Sequence, residues 1–229
     1  MRALLISNSG RPFLEHCREA LADFLGPARR VGFVTAASLN NEKDYCERAR
    51  EALAPAGLTV EHVHWNHEPL AALGRADAVF VGGGNTYALL KRLHHGKLVD
   101  AIRARVLAGV PYIGSSAGSN IAGPTILTTN DWNVVALDRF DALGLVPFNV
   151  NPHYLEADPA MAPGSETRDD RIREYHVVNA NPVFGIEEGT MMRVEDGVAT
   201  VLGRGRVKVL ARGAAPVWYR AGDRIPMTA

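Results

Sequence analysis

Through about residue 120 the chain alternates short apolar, β-prone runs with amphipathic stretches, and this alternation limits the folds open to it. Residues 3–6, 31–35, 58–65, 78–81 and 110–114 read as strands. Between them, residues 13–25, 42–53, 86–93 and 98–107 read as helices; in the first, Phe13, Leu14, Cys17, Leu21 and Phe24 recur near helical spacing. A further helix is expected from Ala117 onward. Strands that alternate with helices pair in parallel through crossovers, so the expected class is α/β: a doubly wound, largely parallel sheet flanked by helices. After about residue 190 the rhythm changes to hairpins. Runs at 191–195, 198–202 and 207–211 are separated by an Asp196-Gly197 turn and a Gly203-Arg204-Gly205 turn, which implies a C-terminal β-hairpin extension. At 229 residues one core suffices, and residues 1–229 read as a single domain.

Charge excludes several kinds of partner. Basic and acidic residues balance at 25 each, so no global field gathers nucleic acid or holds the chain on an anionic membrane. A small, locally recognised ligand is expected instead. The amino-terminal apolar run breaks at Ser7-Asn8-Ser9-Gly10, which makes a poor signal peptide and no membrane span. Cys17 and Cys46 lie on separate predicted helices without metal-ligand spacing and fit core packing in a reducing cytosol.

In such sheets ligands bind beyond the carboxyl ends of the strands, where two glycine-bearing segments fall. Gly114-Ser115-Ser116-Ala117-Gly118 fits G-x-S-x-G with Ser116 at its centre. That pattern places a serine on a tight strand-to-helix turn, its hydroxyl exposed and the next N–H, here that of Ala117, aimed at a developing oxyanion. The plainer reading is a pair of helix-capping serines. Gly82-Gly83-Gly84-Asn85 ends another strand and could supply the second oxyanion donor at Gly84. It is no dinucleotide fingerprint, because Tyr87 stands where the third glycine belongs.

Eight histidines compete for the role of base. His153, in Asn151-Pro152-His153, follows an apolar strand-like run and so falls at a strand end, as Ser116 does. His62, His64 and His67 make an H-x-H-x-x-H pattern, but no cysteine or carboxylate set converges on them and no metal is expected. A serine–histidine pair needs a third group to hold the imidazole in the right tautomer. Asp131, in Thr128-Thr129-Asn130-Asp131, and Glu188, after Phe184-Gly185-Ile186, both qualify, and the sequence does not rank them.

Taken in order, these segments resemble the peptidase E family. The motifs are Leu5-Ile6-Ser7-Asn8-Ser9, Val81-Gly82-Gly83-Gly84-Asn85-Thr86, Gly114-x-Ser116-Ala117-Gly118, Thr128-Thr129-Asn130-Asp131, Asn151-Pro152-His153 and Glu166-Thr167-Arg168. The resemblance implies a cytoplasmic serine peptidase that cleaves dipeptides, and some tripeptides, with amino-terminal aspartate, needs no cofactor, has a fold like the class I glutamine amidotransferases, and forms a dimer. It further implies Ser116 as nucleophile, His153 as base, Gly84 and Ala117 as oxyanion donors, and a charge-relay claim for both Asp131 and Glu188. The family carries a bulky aromatic where Ser115 stands here.

An aspartyl substrate presents a carboxylate, which arginine matches with two parallel hydrogen bonds. Thr167-x-x-Asp170 reads as a capping box that makes Arg168 the first helical residue and puts Arg171 on the same face. Arg168, then Arg171, are therefore the expected anion binders, with Asn85 at the glycine loop a further substrate contact. Local pairing of these arginines with Asp169, Asp170 and Glu174 is the competing reading. Two rival functions are a related hydrolase of β-aspartyl peptides in the manner of cyanophycinases, and a non-catalytic binding domain on the same fold.

Overall fold

The structure is a computed structural model that describes residues 1–156 and 164–227. In chain order its elements are β1 (Arg2–Ile6), α1 (Arg18–Leu25), β2 (Arg30–Val34), α2 (Glu42–Leu53), β3 (Thr59–Val63), α3 (Pro69–Gly74), β4 (Ala78–Val81), α4 (Thr86–His95), α5 (Leu98–Leu107), β5 (Tyr112–Ser115) and α6 (Ala117–Asn120). There follow β6 (Asn149–Tyr154), α7 (Arg168–Val178), β7 (Val183–Glu187), β8 (Thr190–Glu195), β9 (Val198–Gly203), β10 (Arg206–Leu210), β11 (Val217–Arg220) and β12 (Arg224–Pro226).

Two sheets carry these strands. The larger runs β12-β9-β8-β1-β5-β4-β2-β3, and the smaller β11-β10-β7-β6. In the larger, β1, β5, β4, β2 and β3 are mutually parallel, while β8, β9 and β12 add on antiparallel. The expected largely parallel α/β sheet is therefore present. The short apolar runs reflect burial on both faces of the central strands. In β1, Leu4 and Ile6 pack with Phe24, Phe33 and Phe80 beneath α1 and α2, whereas Ala3 and Leu5 pack with Leu89, Leu93 and Ile102 beneath α4 and α5.

Three expectations change. The helix expected from Ala117 lasts only four residues before the chain turns away. Residues 13–25 enter α1 through a 3-10 turn at Glu15–Cys17 rather than as one continuous helix. The Gly203-Arg204-Gly205 turn is no hairpin: β9 pairs with β8 in the larger sheet, whereas β10 pairs with β7 and β11 in the smaller. Gly203 sits at φ +100°, where its Cα lies so close to Gly189 that a Cβ would come within 2.2 Å of that residue's carbonyl oxygen, and this close approach lets the chain switch sheets. The Asp196-Gly197 hairpin forms as expected. Among the described residues no helix is long and apolar enough to cross a membrane.

Candidate active site

Ser116 follows β5 directly, with φ +53° and ψ −111°, a conformation that a β-carbon normally forbids. Close main-chain packing holds it there. A Cβ on Gly118 would lie 2.0 Å from the Val81 carbonyl oxygen, and one on Gly114 would lie 2.5 Å from that of Gly118. Polar side chains of α6 fasten the bend to its surroundings: Ser119 Oγ lies 2.8 Å from both the Ile6 and Gly114 carbonyls, and Asn120 Nδ2 donates to Val150 O at 2.8 Å. Tyr112 Oη adds a bond to Gly118 O at 2.5 Å from within the core. The two adjacent serines diverge. Ser115 is fully buried, its Oγ 2.8 Å from Ser9 Oγ, whereas Ser116 faces a cavity of about 970 Å³.

His153 reaches the same cavity from β6. Its φ is +53°, and the pairing of β6 with β7 shifts register between Pro152 and Tyr154, so the histidine sits on a bulge that turns its side chain out of the strand's alternation. Ser7 supports this bulge: its Oγ accepts from His153 N at 2.9 Å and donates to Ile186 O at 2.8 Å. His153 Nε2 then lies 2.9 Å from Ser116 Oγ, and Nδ1 lies 2.8 Å from Glu188 Oε1. A carboxylate can only accept, so Nδ1 carries the proton and Nε2 is left free to accept from the serine hydroxyl.

The two candidate acids thus separate. Glu188 meets the imidazole from the turn between β7 and β8, a turn that Asn8 pins by accepting from Gly189 N at 2.9 Å. Its neighbour Glu187 is taken instead by Arg206, at 2.7 and 3.2 Å. Asp131 does not contact His153. Its carboxylate accepts from Thr86 N at 2.7 Å, at the amino terminus of α4, where a negative charge is favourable. Asn85 caps the same helix by accepting from Ala88 N at 2.9 Å, and its amide donates to Trp132 O at 2.9 Å. Both residues therefore fasten the glycine loop rather than point into the cavity.

That loop and the Ser116 turn each offer one free main-chain donor. Gly83 N donates to Tyr45 Oη at 2.8 Å, whereas the N–H groups of Gly84 and Ala117 have no acceptor among the described residues. Gly84, at φ +136°, packs so tightly that a Cβ would lie 2.3 Å from Ala37 O. Sequence reasoning missed Tyr45, whose buried ring is held edge-on by Phe13 and Phe33 with centroids at 5.6 and 5.0 Å. Burial raises its phenol pKa, against the pull of Gly83 N–H, Ser9 and Arg48. Its place on the buried face of α2 was the available signal.

Arg168 and Arg171 line a separate cavity of about 190 Å³ with Asn130, Leu155 and Thr167. The capping box forms as read: Thr167 Oγ1 accepts from Asp170 N at 3.2 Å, and Thr167 N donates to Asp170 Oδ2 at 2.9 Å. Arg171 pairs with Glu166 at 2.9 Å, while Arg168 has no ion-pair partner among the described residues. Desolvation, and then Arg171, lower its pKa from the ordinary arginine value. Asp169, between them in sequence, is engaged by buried Lys208, whose Nζ lies 2.6 Å away, and accepts from Tyr154 Oη.

His62 lies in β3, the edge strand of the larger sheet, and His64 just beyond its end. His62 Nε2 is 2.8 Å from Thr35 Oγ1, and His64 Nε2 is 3.7 Å from Glu42 Oε2. Among the described residues no group of three or more His, Cys, Asp or Glu is placed to hold a metal.

The pattern of Peptidase family S51 matches residues 3–202. The chain belongs to that family. It is 45% identical over 219 residues to a peptidase E of Streptomyces coelicolor, covering 94% of this chain and 90% of the relative. It is also 44% identical over 212 residues to a probable alpha-aspartyl dipeptidase of Drosophila melanogaster, covering 90% and 88%. A Listeria monocytogenes EGD-e crystal structure assigned as a peptidase E superposes with a TM-score of 0.67 at 25% identity, over 96% of this chain and 98% of that one. A peptidase from an acI-B1 actinobacterium shares the fold with a TM-score of 0.74 at 15% identity, over 98% and 96%. The S51 chain described here is therefore a peptide hydrolase by family.

Proposed function

We propose that this S51 peptidase hydrolyses dipeptides with amino-terminal aspartate through an aspartyl ester on Ser116. The observation that carries this reading is the relay of Ser116 Oγ, His153 and Glu188, with successive distances of 2.9 and 2.8 Å, at a strained turn beside two unpaired N–H groups. Ser116 Oγ bonds to the aspartyl carbonyl carbon as its proton passes to His153 Nε2. Glu188 holds the imidazole and offsets its charge, although at 66% side-chain exposure it is well screened by water. Gly84 and Ala117 donate to the oxyanion. The carbon–nitrogen bond then breaks, and His153 gives its proton to the leaving amine. Water next attacks the ester, its proton goes to His153, and Ser116 is restored.

Arg168 is the group we assign to the substrate β-carboxylate: it is partly desolvated and forms no ion pair among the described residues, the two acids that line its cavity being taken by others, Glu156 by Lys208 and Glu166 by Arg171. Asp131 and Asn85 act by positioning the glycine loop. The reaction needs no cofactor. By family resemblance the protein acts in the cytoplasm as a homodimer, and residues 1–229 form one domain.

The test is a dipeptide panel on the wild type and Ser116→Ala. Wild type should release leucine from Asp-Leu and much less from Asn-Leu, Glu-Leu or isoaspartyl-leucine. Ser116→Ala should fold normally and lose at least ~10³-fold in kcat. A folded Ser116→Ala protein with ordinary Asp-Leu turnover would refute the assignment, and a preference for the isoaspartyl peptide would move the substrate to the β-aspartyl class.

A further inference from the structure

Two arginines share the cavity that holds Ser116 Oγ, whereas Arg168 lines the neighbouring smaller one. Arg11 enters from the loop after β1, and Arg48 from α2. Arg48 lies with its guanidinium carbon 5.4 Å from the centroid of the Tyr45 ring. That ring is itself fixed: its hydroxyl accepts from Gly83 N at 2.8 Å, and a Cβ on Gly83 would lie 3.0 Å from Ser116 Cβ. A chain of contacts therefore runs from the Arg48 guanidinium through Tyr45 and the glycine loop to the serine. Neither Arg11 nor Arg48 has an ion-pair or hydrogen-bond partner among the described residues, whereas Arg50, on the same helix as Arg48, is held by Glu47 and by Val60 O. The acid in this cavity, Glu188, is engaged by His153. The cavity thus presents excess positive charge that no acid among the described residues answers.

We propose that Arg48, assisted by Arg11, binds the free carboxylate of the leaving residue, so that this cavity selects peptides ending one residue beyond the scissile bond. The inference rests on the aspartyl-dipeptidase reading above and adds a second recognition site to it. An Asp-X dipeptide carries two carboxylates. With the β-carboxylate at Arg168, the other lies only about one residue's length, ~3.5 Å, beyond the scissile carbonyl, well inside a cavity of this size. A longer peptide or an amide puts a neutral group at that point, and the guanidinium stays unanswered. Arginine suits the task because its planar fork bonds both carboxylate oxygens while its flat face rests on an aromatic ring.

The experiment uses two readouts. Steady-state kinetics on the wild type should give a kcat/KM for Asp-Leu roughly 10-fold or more above that for Asp-Leu-amide, the size of effect a charge-assisted pair supplies in a solvated cavity. In Arg48→Gln that acid-to-amide ratio should collapse toward one, and Arg48→Lys should restore part of it, which a merely structural role for Arg48 would not do. Equal loss on both substrates, or an unchanged ratio, would overturn the proposal. Calorimetry on Ser116→Ala reads binding without turnover and keeps the two readings apart. Tighter binding of the acid that disappears in Ser116→Ala/Arg48→Gln upholds the subsite even if the wild type cleaves neither peptide, a result that would instead fail the hydrolase reading. Equal binding of acid and amide, or none, refutes the subsite.

Discussion

The turn at Ser116 and the start of α7 at Arg168 are built by opposite means. At Ser116 the geometry comes from main chain packed on main chain: Gly114, Gly118 and Gly84 each lie where an added Cβ would come within 2.5 Å of a carbonyl oxygen. A charged group helps from outside: the Asp131 carboxylate fastens the glycine loop at Thr86 N. At Arg168 the geometry comes from charged side chains. Lys208, with 4% of its side chain exposed, reaches Asp169 at 2.6 Å and Glu156 at 2.7 Å, and the Asp170 cap closes the helix start. Burial pulls the Lys208 pKa down, but the ammonium's hydrogen bonds to Asp169, Glu156 and Tyr154 outweigh it and leave the pKa above its usual range. The contrast teaches a division of labour: backbone fixes where bonds are made and broken, and charge fixes what is held there.

The largest effect that sharpens this contrast concerns the two acids. Glu188→Gln should lower kcat by roughly 10²-fold, less than for a buried relay acid because its carboxylate is largely in water, while Asp131→Asn should cost less than ~10-fold in kcat. Pre-steady-state release of the leaving group measures both. A larger loss in Asp131→Asn would mean that the loop it fastens, and not the imidazole, limits the chemistry.

Next in size is Lys208→Met. Removing the buried cation leaves Asp169 uncompensated and should reduce stability by ~3 kcal/mol in urea denaturation. It should also raise KM for Asp-Leu more than it lowers kcat, because Arg168 is the neighbour that loses its support. A proportionate fall in kcat would break the separation between the two regions.

The smallest effect is set by pH. Asp170 has its pKa lowered from 3.8 to about 2 by the Thr167 backbone N–H, the Thr167 hydroxyl and Arg173. Its folded-state pKa lies below the unfolded one, so its contribution is intact above about pH 4 and is lost as pH falls toward about 2. Asp170→Asn should therefore show a shallower loss of stability across that window than the wild type. Identical acid-unfolding profiles for the two proteins would remove the cap from the account.

Sequence legibility follows the same division. The turn at Ser116 was readable because its requirements are local: a strand, two glycines two residues away on either side, and a helix-capable run. The α7 cap was readable for the same reason, through Thr167 and Asp170 three positions apart. The choice between Asp131 and Glu188 was not, because it depends on which of two distant turns the folded chain brings to His153. The positive φ at His153 has no glycine to announce it; it is imposed by the bulge and by Ser7. The fate of the 203–205 turn was equally hidden, since β9 and β10 look like hairpin partners until the two sheets compete for them. Tyr45 and Arg48 were half visible, three apart on one face of α2, but only the fold places that face beside the glycine loop.

One hydroxyl ties these parts together. Ser7 ends the central strand of the larger sheet, yet it accepts from β6 and donates to β7 of the smaller one. The serine and histidine come from different sheets, so their spacing would drift with any relative sliding of the two layers. A rivet placed at the cleft floor, one residue along from Ile6, makes the reacting pair the pivot of such sliding and confines the travel to the distant margins.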